Sequence, residues 1–122
     1  MGQHNETGKV GEEFAREFLI KKGYRILAVN WRYNYKEIDI VAQHNQTMVF
    51  VEVKTRATLA FELPQEAVTS KKMKNLVYAA DAYLNQKNIE LNSRFDIVTV
   101  LAQEPYKILE HIEDAFKANE LL

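Results

Sequence analysis

The chain contains no cysteine, only two prolines and four glycines among 122 residues, and its 16 basic side chains are balanced by 17 acidic ones. The missing thiols exclude disulfides, thiolate zinc sites and cysteine nucleophiles, and they suit a reducing cytoplasm. A net charge of −1 excludes a global basic field, so any contact with a polyanion has to rest on local patches. Apolar runs of the length that spans a bilayer are missing too, so no membrane partner is expected. The opening "MGQHNETGKVGEE" lacks the apolar stretch of a signal peptide, and Glu6 stands where a myristoylation motif needs Ser or Thr. His4, His44 and His111 are scattered without ligand spacing and read as surface residues. Internal repeats and low-complexity segments are likewise lacking. What is left, with 47% hydrophobic residues, is one globular domain over 1–122 with a modest core.

Periodicity places the elements. Val10, Phe14, Ala15, Phe18 and Leu19 form the apolar arc of a helix over 8–22, closed by Gly23 as a left-handed cap. Glu12 falls at the edge of that arc, whereas Glu13 and Glu17 point to the wet side. Gly8 and Gly11 weaken the helix by up to ~1 kcal/mol each, which is tolerable where a helix start approaches another backbone. Strands follow at 24–30, 36–43 and 48–54. A second helix begins after Thr69 or Ser70, with Met73, Leu76, Val77, Ala80 and Leu84 at helical spacing and Tyr78 and Tyr83 on its apolar boundary. Strands at 94–101 and 106–112 and a short helix over 113–122 complete the chain. The strand–helix–strand crossover predicts a mixed α/β sheet covered by helices.

"MVFVEVKTR" (48–56) is the informative stretch. Its valines at 49, 51 and 53 alternate with Phe50, Glu52 and Lys54, the period of a strand with one apolar face. With a two-residue turn at Asn45 and Gln46, His44 faces Thr47, Val41 faces Phe50, Asp39 faces Glu52 and Glu37 faces Lys54. Opposed carboxylates destabilise a sheet, whereas a divalent cation such as Mg²⁺ rewards them, taking one or two carboxylates together with waters and phosphate oxygens. Lys54 can then act on an attacking water or on charge developing at phosphorus. Glu12 supplies an outer carboxylate if its helix packs beside the hairpin. That pattern fits metal-assisted phosphodiester hydrolysis, and it equally fits a solvated strand face carrying a weak ion pair.

Asp39 followed by "EVK" resembles the signature of the PD-(D/E)XK nuclease superfamily. More narrowly, the chain resembles the YraN-like family of small uncharacterised bacterial proteins, relatives of archaeal Holliday-junction resolvases. The resemblance runs through "GKVGEEFAREFL" (8–19), "NWR" (30–32), "EIDIVA" (37–42), "VFVEVKTR" (49–56), "PQEAV" (64–68) and "RFDIVTV" (94–100). One position departs from the superfamily pattern: Ile38 precedes Asp39 where proline is usual. The resemblance implies a restriction-endonuclease-like α/β domain with a mixed sheet of about five strands between helices. It implies a catalytic and metal site of Asp39, Glu52, Lys54 and Glu12, with Asp39, Glu52 and Glu12 holding Mg²⁺ or Mn²⁺. Glu37 and Arg56 match family positions beside that site.

Nucleic-acid contacts are expected around it. Lys71, Lys72 and Lys74 stand in the first turn or so of the second helix, where cations oppose the helix dipole unless a phosphate binds there. They also suit a plain solvated helix edge. Arg32, with Trp31, Tyr33 and Tyr35 nearby, forms a basic, aromatic loop suited to stacking or phosphate contact, although Trp31 suits a core plug equally. The expected activity is that of a metal-dependent endonuclease on DNA, branched or nicked forms included, with Arg32, Arg56, Lys72 and Lys71 gripping phosphate. By analogy with junction resolvases a homodimer is expected. The alternatives are a non-catalytic nucleic-acid-binding module and an adaptor using the loop at 57–68.

Overall fold

The computed structural model describes residues 6–59 and 68–121. Helix α1 (Glu6–Lys21) ends as the glycine predicts. Gly23 has φ +94°, its N–H donates to Ile20 O at 2.9 Å, and the Tyr24 N–H donates to Leu19 O at 3.0 Å. Gly11, Ala15 and Leu19 are buried at four-residue intervals, with Phe14 and Phe18 partly buried beside them. Val10, expected in the same arc, is exposed.

Strands β1 (Arg25–Tyr33), β2 (Lys36–His44) and β3 (Thr47–Arg56) form an antiparallel meander. Helix α2 (Ser70–Lys87) then crosses over to β4 (Asn92–Leu101), which pairs parallel to β3, and β5 (Lys107–Phe116) returns antiparallel to β4. The result is an α/β fold with a five-stranded mixed sheet in the order β1-β2-β3-β4-β5. The Thr69 hydroxyl caps α2 by accepting from the Lys72 N–H at 3.2 Å, and Asn88 closes it at φ 55°. Period-two alternation sorts the sheet into two cores. Met48, Phe50 and Phe95 pack with Leu76, Val77, Ala80 and Tyr83 of α2, whereas Val49, Val51, Val98 and Val100 pack with Ala15 and Leu19 of α1.

Two elements differ from the expected pattern. Strand β1 runs through Trp31, Arg32 and Tyr33, so these residues are not in a loop. Trp31 pairs with Ile38 and sets its edge on Tyr83 at 5.1 Å, partly buried against the α2-side core. The segment expected as a terminal helix instead continues β5 to Phe116, followed by a single 3₁₀ turn at Ala118–Glu120. Phe116 stacks on Phe95 at 5.0 Å, and that tertiary contact overrides local helix propensity.

A buried polar cluster ties β4 to β5. Asp96, with no exposed surface, accepts from Arg94 Nε at 3.0 Å, Arg94 Nη2 at 3.2 Å and the Asp114 N–H at 3.0 Å, and lies 2.8 Å from His111 Nε2. Tyr24 joins through a hydrogen bond between its hydroxyl and Arg94, and its ring stacks on His44 at 4.2 Å. The His111 side chain is therefore enclosed beside Asp96 and not free on the surface. Burial pushes the Asp96 carboxyl up, but hydrogen bonds from His111, Arg94 and Asp114 and the Arg94 charge outweigh it and hold it below the ordinary carboxylate range.

Candidate functional site

The β2–β3 hairpin closes as its turn chemistry predicts. His44 pairs with Thr47, and Asn45 takes the left-handed conformation at φ 57°. Pairing continues through Val41–Phe50 and ends at Ile40–Val51. Past that rung β2 pairs only with β1 and β3 only with β4, so the sheet forks. Asp39 and Glu52 are the next residues on the two arms. Instead of a further backbone rung, Asp39 Oδ2 accepts the Val53 N–H at 2.8 Å. Glu37 and Lys54 do not face each other across the hairpin: Glu37 pairs with Arg32 and Lys54 with Thr99. The parity argument for β2 also breaks here. Ile38 and Val41 both enter the α2-side core while Ile40 enters the other, so the strand rotates around Asp39.

Helix α1 brings Glu12 to the fork. Gly11 lies so close to β3 that a Cβ would collide with the Thr55 hydroxyl, so it is a side chain rather than backbone that demands the glycine. Glu12, Asn30, Asp39 and Lys9 line a cleft of about 240 Å³ between α1 and the sheet. With its amide oriented to satisfy both neighbours, Asn30 Nδ2 donates to Glu12 Oε1 and Glu37 Oε2, each at 3.1 Å. Asp39, only 8% exposed, is raised well above the ordinary carboxylate range. Burial is the main cause and the negative charge of Glu52 the next, with the Val53 N–H opposing them and Glu12 and Glu37 adding to the rise.

Cations stand at the rim. Lys72 Nζ, in the first turn of α2, lies 4.0 Å from Glu52, and Arg32 Nη2 lies 3.9 Å from Glu37. Lys54 is half-buried two residues beyond Glu52. Glu12, Asp39, Glu52, Lys72 and Arg32 thus gather with Glu37 around the fork. Lys71 is exposed on the first turn of α2, and Arg56 stands at the end of β3 with its Nε buried and unpaired among the described residues. His4 and most of the loop at 57–68 lie outside the described residues.

Sequence reasoning gave Asn30 no role. Its one legible sign is an asparagine at the end of a predicted strand, a residue type that accepts the left-handed backbone it adopts, φ 50°. The donors are all carboxylate oxygens, the hard set that Mg²⁺ and Mn²⁺ prefer. Among the described residues no three His, Cys, Asp or Glu side chains close into a ready-made metal cage. Magnesium-type sites bind through one or two carboxylates and waters, so the residues fit such an ion.

No helix of the described residues is long and apolar enough to cross a membrane. A family model described as "Uncharacterised protein family UPF0102" matches residues 11–100, a span holding every residue of the fork. Curated relatives named UPF0102 protein come from Phocaeicola vulgatus, 45% identical over 95% of this chain and 96% of the relative, and from Parabacteroides distasonis, 44% identical over 97% and 98%. A third, from Flavobacterium psychrophilum, is 45% identical over 95% and 98%. The YraN-like resemblance read from the sequence is thereby met: this chain belongs to the UPF0102 family.

Proposed function

We propose that this protein is a divalent-metal-dependent nuclease that hydrolyses phosphodiester bonds in DNA, of the PD-(D/E)XK type that Asp39, Glu52 and Lys54 resemble. One observation carries the reading: the sheet forks at an enclosed aspartate, and three further carboxylates, from α1, β2 and β3, gather around it. Asn30, Arg32 and Lys72 partner the outer three, but burying Asp39 among like charges still costs folding stability. In this reading Asp39 and Glu52 hold the ion and Glu12 supports its outer shell through the Asn30 bridge. A bound Mg²⁺ or Mn²⁺ supplies an activated water and offsets phosphate charge. Lys54 orients the attacking water or steadies charge developing on phosphorus. Lys72 and Arg32, at the rim, take the flanking phosphates, with Arg56 and Lys71 as outer contacts.

The lack of a ready-made cage among the described residues favours a second reading, a non-catalytic nucleic-acid-binding module. Plasmid nicking with Mg²⁺ or Mn²⁺ separates the two. Cutting by the wild type that vanishes in Asp39→Ala and Lys54→Ala supports the nuclease. A gel shift in chelator without cutting in metal supports the module, and Lys72→Ala should then bind more weakly with a shallower salt dependence.

A further inference from the structure

Beside the fork, on the α2 side, lies a groove of about 600 Å³ between the β1–β2 turn and the outer face of α2. Tyr33, Tyr35 and Lys36 form one wall; Asn75, Tyr78 and Asn85 belong to the other. Tyr35 is 77% exposed and Tyr78, expected at the apolar boundary of α2, is 49% exposed. Lys36 Nζ sits 4.1 Å from the centroid of the Tyr35 ring and 5.9 Å from that of Tyr78. Two aromatic rings from opposite walls thus reach a single cation and remain open to solvent. Folding gains little from leaving them there, since an exposed ring forgoes its burial energy.

The chemistry of the groove selects its occupant. Lys36 and Asp81 cancel in charge, and Asp81 is engaged by Asn85 Nδ2 at 3.3 Å. Phenol rings and side-chain amides dominate the rest, which suits a flat, neutral group with hydrogen-bonding edges. The groove reaches the rim along α2, where Asn75 stands one helical turn from Lys72, whose Nζ is 4.0 Å from Glu52. Tyr33 and Lys36 share the α2 face of the hairpin, whereas alternation turns Arg32 and Glu37 to the other face. On α2, the Lys72 ammonium beside Glu52 and the Tyr78 ring in the groove therefore stand within about two helical turns of each other.

We infer that this groove binds an unpaired nucleobase, so that the protein takes nucleic acid with a single-stranded arm next to the phosphodiester at the fork. Bases stacked inside a duplex cannot offer their faces to Tyr35 and Tyr78, whereas a free arm can, with little regard to sequence. The inference rests on the nuclease reading for its substrate and deepens it: the class becomes flapped, gapped or branched DNA rather than continuous duplex.

The test uses the full chain and two fluorescent DNAs of equal duplex length, one carrying a single-stranded arm with 2-aminopurine. Binding is measured in chelator and cutting in Mg²⁺. The armed DNA is expected to bind roughly tenfold or more tightly than the plain duplex, with 2-aminopurine quenching. Tyr35→Ala and Tyr78→Ala should each lose about 5- to 100-fold on the armed DNA and leave the duplex unchanged, and Tyr35→Phe should retain wild-type binding. Both tyrosines are exposed, and thermal melts of the variants establish that they fold. Equal affinity for the two DNAs, or equal losses on both in the tyrosine variants, overturns the groove assignment even if Asp39-dependent cutting is seen. Tyrosine-dependent arm preference with no cutting upholds the groove and sinks the nuclease reading. Neither binding nor cutting overturns both.

Discussion

Two aspartates are buried in adjacent parts of one sheet, and their surroundings are opposite. Asp96 on β4 meets a guanidinium fork, an imidazole and a backbone N–H, and its carboxyl sits below the ordinary range. Among the described residues Asp39 on β2 accepts one hydrogen bond, from the Val53 N–H, and burial first, then the charges of Glu52, Glu12 and Glu37, raise its carboxyl. A buried charge has to be compensated. At Asp96 the fold itself supplies the compensation, and the residue reads as structural. At Asp39 the surrounding carboxylates add to the cost, among the described residues the Val53 N–H opposes it, and under the proposed function a bound cation would do so further.

The largest expected consequence is on stability at the structural member of the pair. Asp96→Ala leaves Arg94 and the Asp114 N–H without their buried acceptor, and urea denaturation should show a loss of about 3–5 kcal/mol. Asp39→Asn keeps an acceptor for Val53 and removes a crowded charge, so its stability should match or exceed that of the wild type. An equal loss at both positions would erase the contrast. In plasmid cutting the order reverses. Asp39→Asn should reduce the rate by roughly 10³-fold, the scale of several kcal/mol of metal-supplied stabilisation.

Next comes the cation itself. Mg²⁺ or Mn²⁺ at about 100 times its dissociation constant should stabilise the wild type by about 2.7 kcal/mol in thermal melts and leave Asp39→Asn unmoved. A shift of the same size in that variant would place the ion elsewhere. Gly11→Ala should cost about 1–3 kcal/mol through the collision with Thr55 and weaken the metal response by displacing Glu12, while the Asp96 cluster stays intact.

The smallest effect is in the pH profile. The native state holds the Asp39 proton to higher pH than the unfolded chain does. Wild-type stability therefore falls as pH rises from the unfolded value near ~3.9 towards the raised native one, and the loss is complete above it. Asp96 acts with the opposite sign: its contribution is present above the unfolded value and is lost as pH falls through the depressed native one. Urea midpoints across pH should thus show Asp39→Asn gaining on the wild type as pH rises. A constant difference between the two would mean that Asp39 titrates normally.

Much of the fold is legible in the sequence. The Gly23 cap, the Asn45 turn, the crossover and the Val41–Phe50 register follow from periodicity and turn chemistry, and those local rules govern most of the sheet. Parity along β2 fails at Asp39 because the strand leaves its partner there, and no local pattern encodes the end of a ladder. The role of Asn30 was hidden because it depends on two carboxylates from distant segments meeting one amide. His111 misled for the same reason: a solitary histidine gives no sign that Asp96 and Lys22, 2.8 Å from its Nδ1, will enclose it. Tyr78 misled through helical spacing alone, which does not show that the β1–β2 turn stands off from α2 and leaves a groove.

The division of the sheet has a mechanical corollary. Asp39 and the aromatic turn ride on one arm, against which α2 mainly packs, whereas Glu52 and Lys54 ride on the other, which pairs with β4. Any ligand held jointly by the two acidic residues is therefore also a clasp across a hinge. Such a clasp would hold the β1–β2 side, with Tyr33 and Tyr35 at its turn, to the β3–β4 side past the rung where the backbone ladder ends.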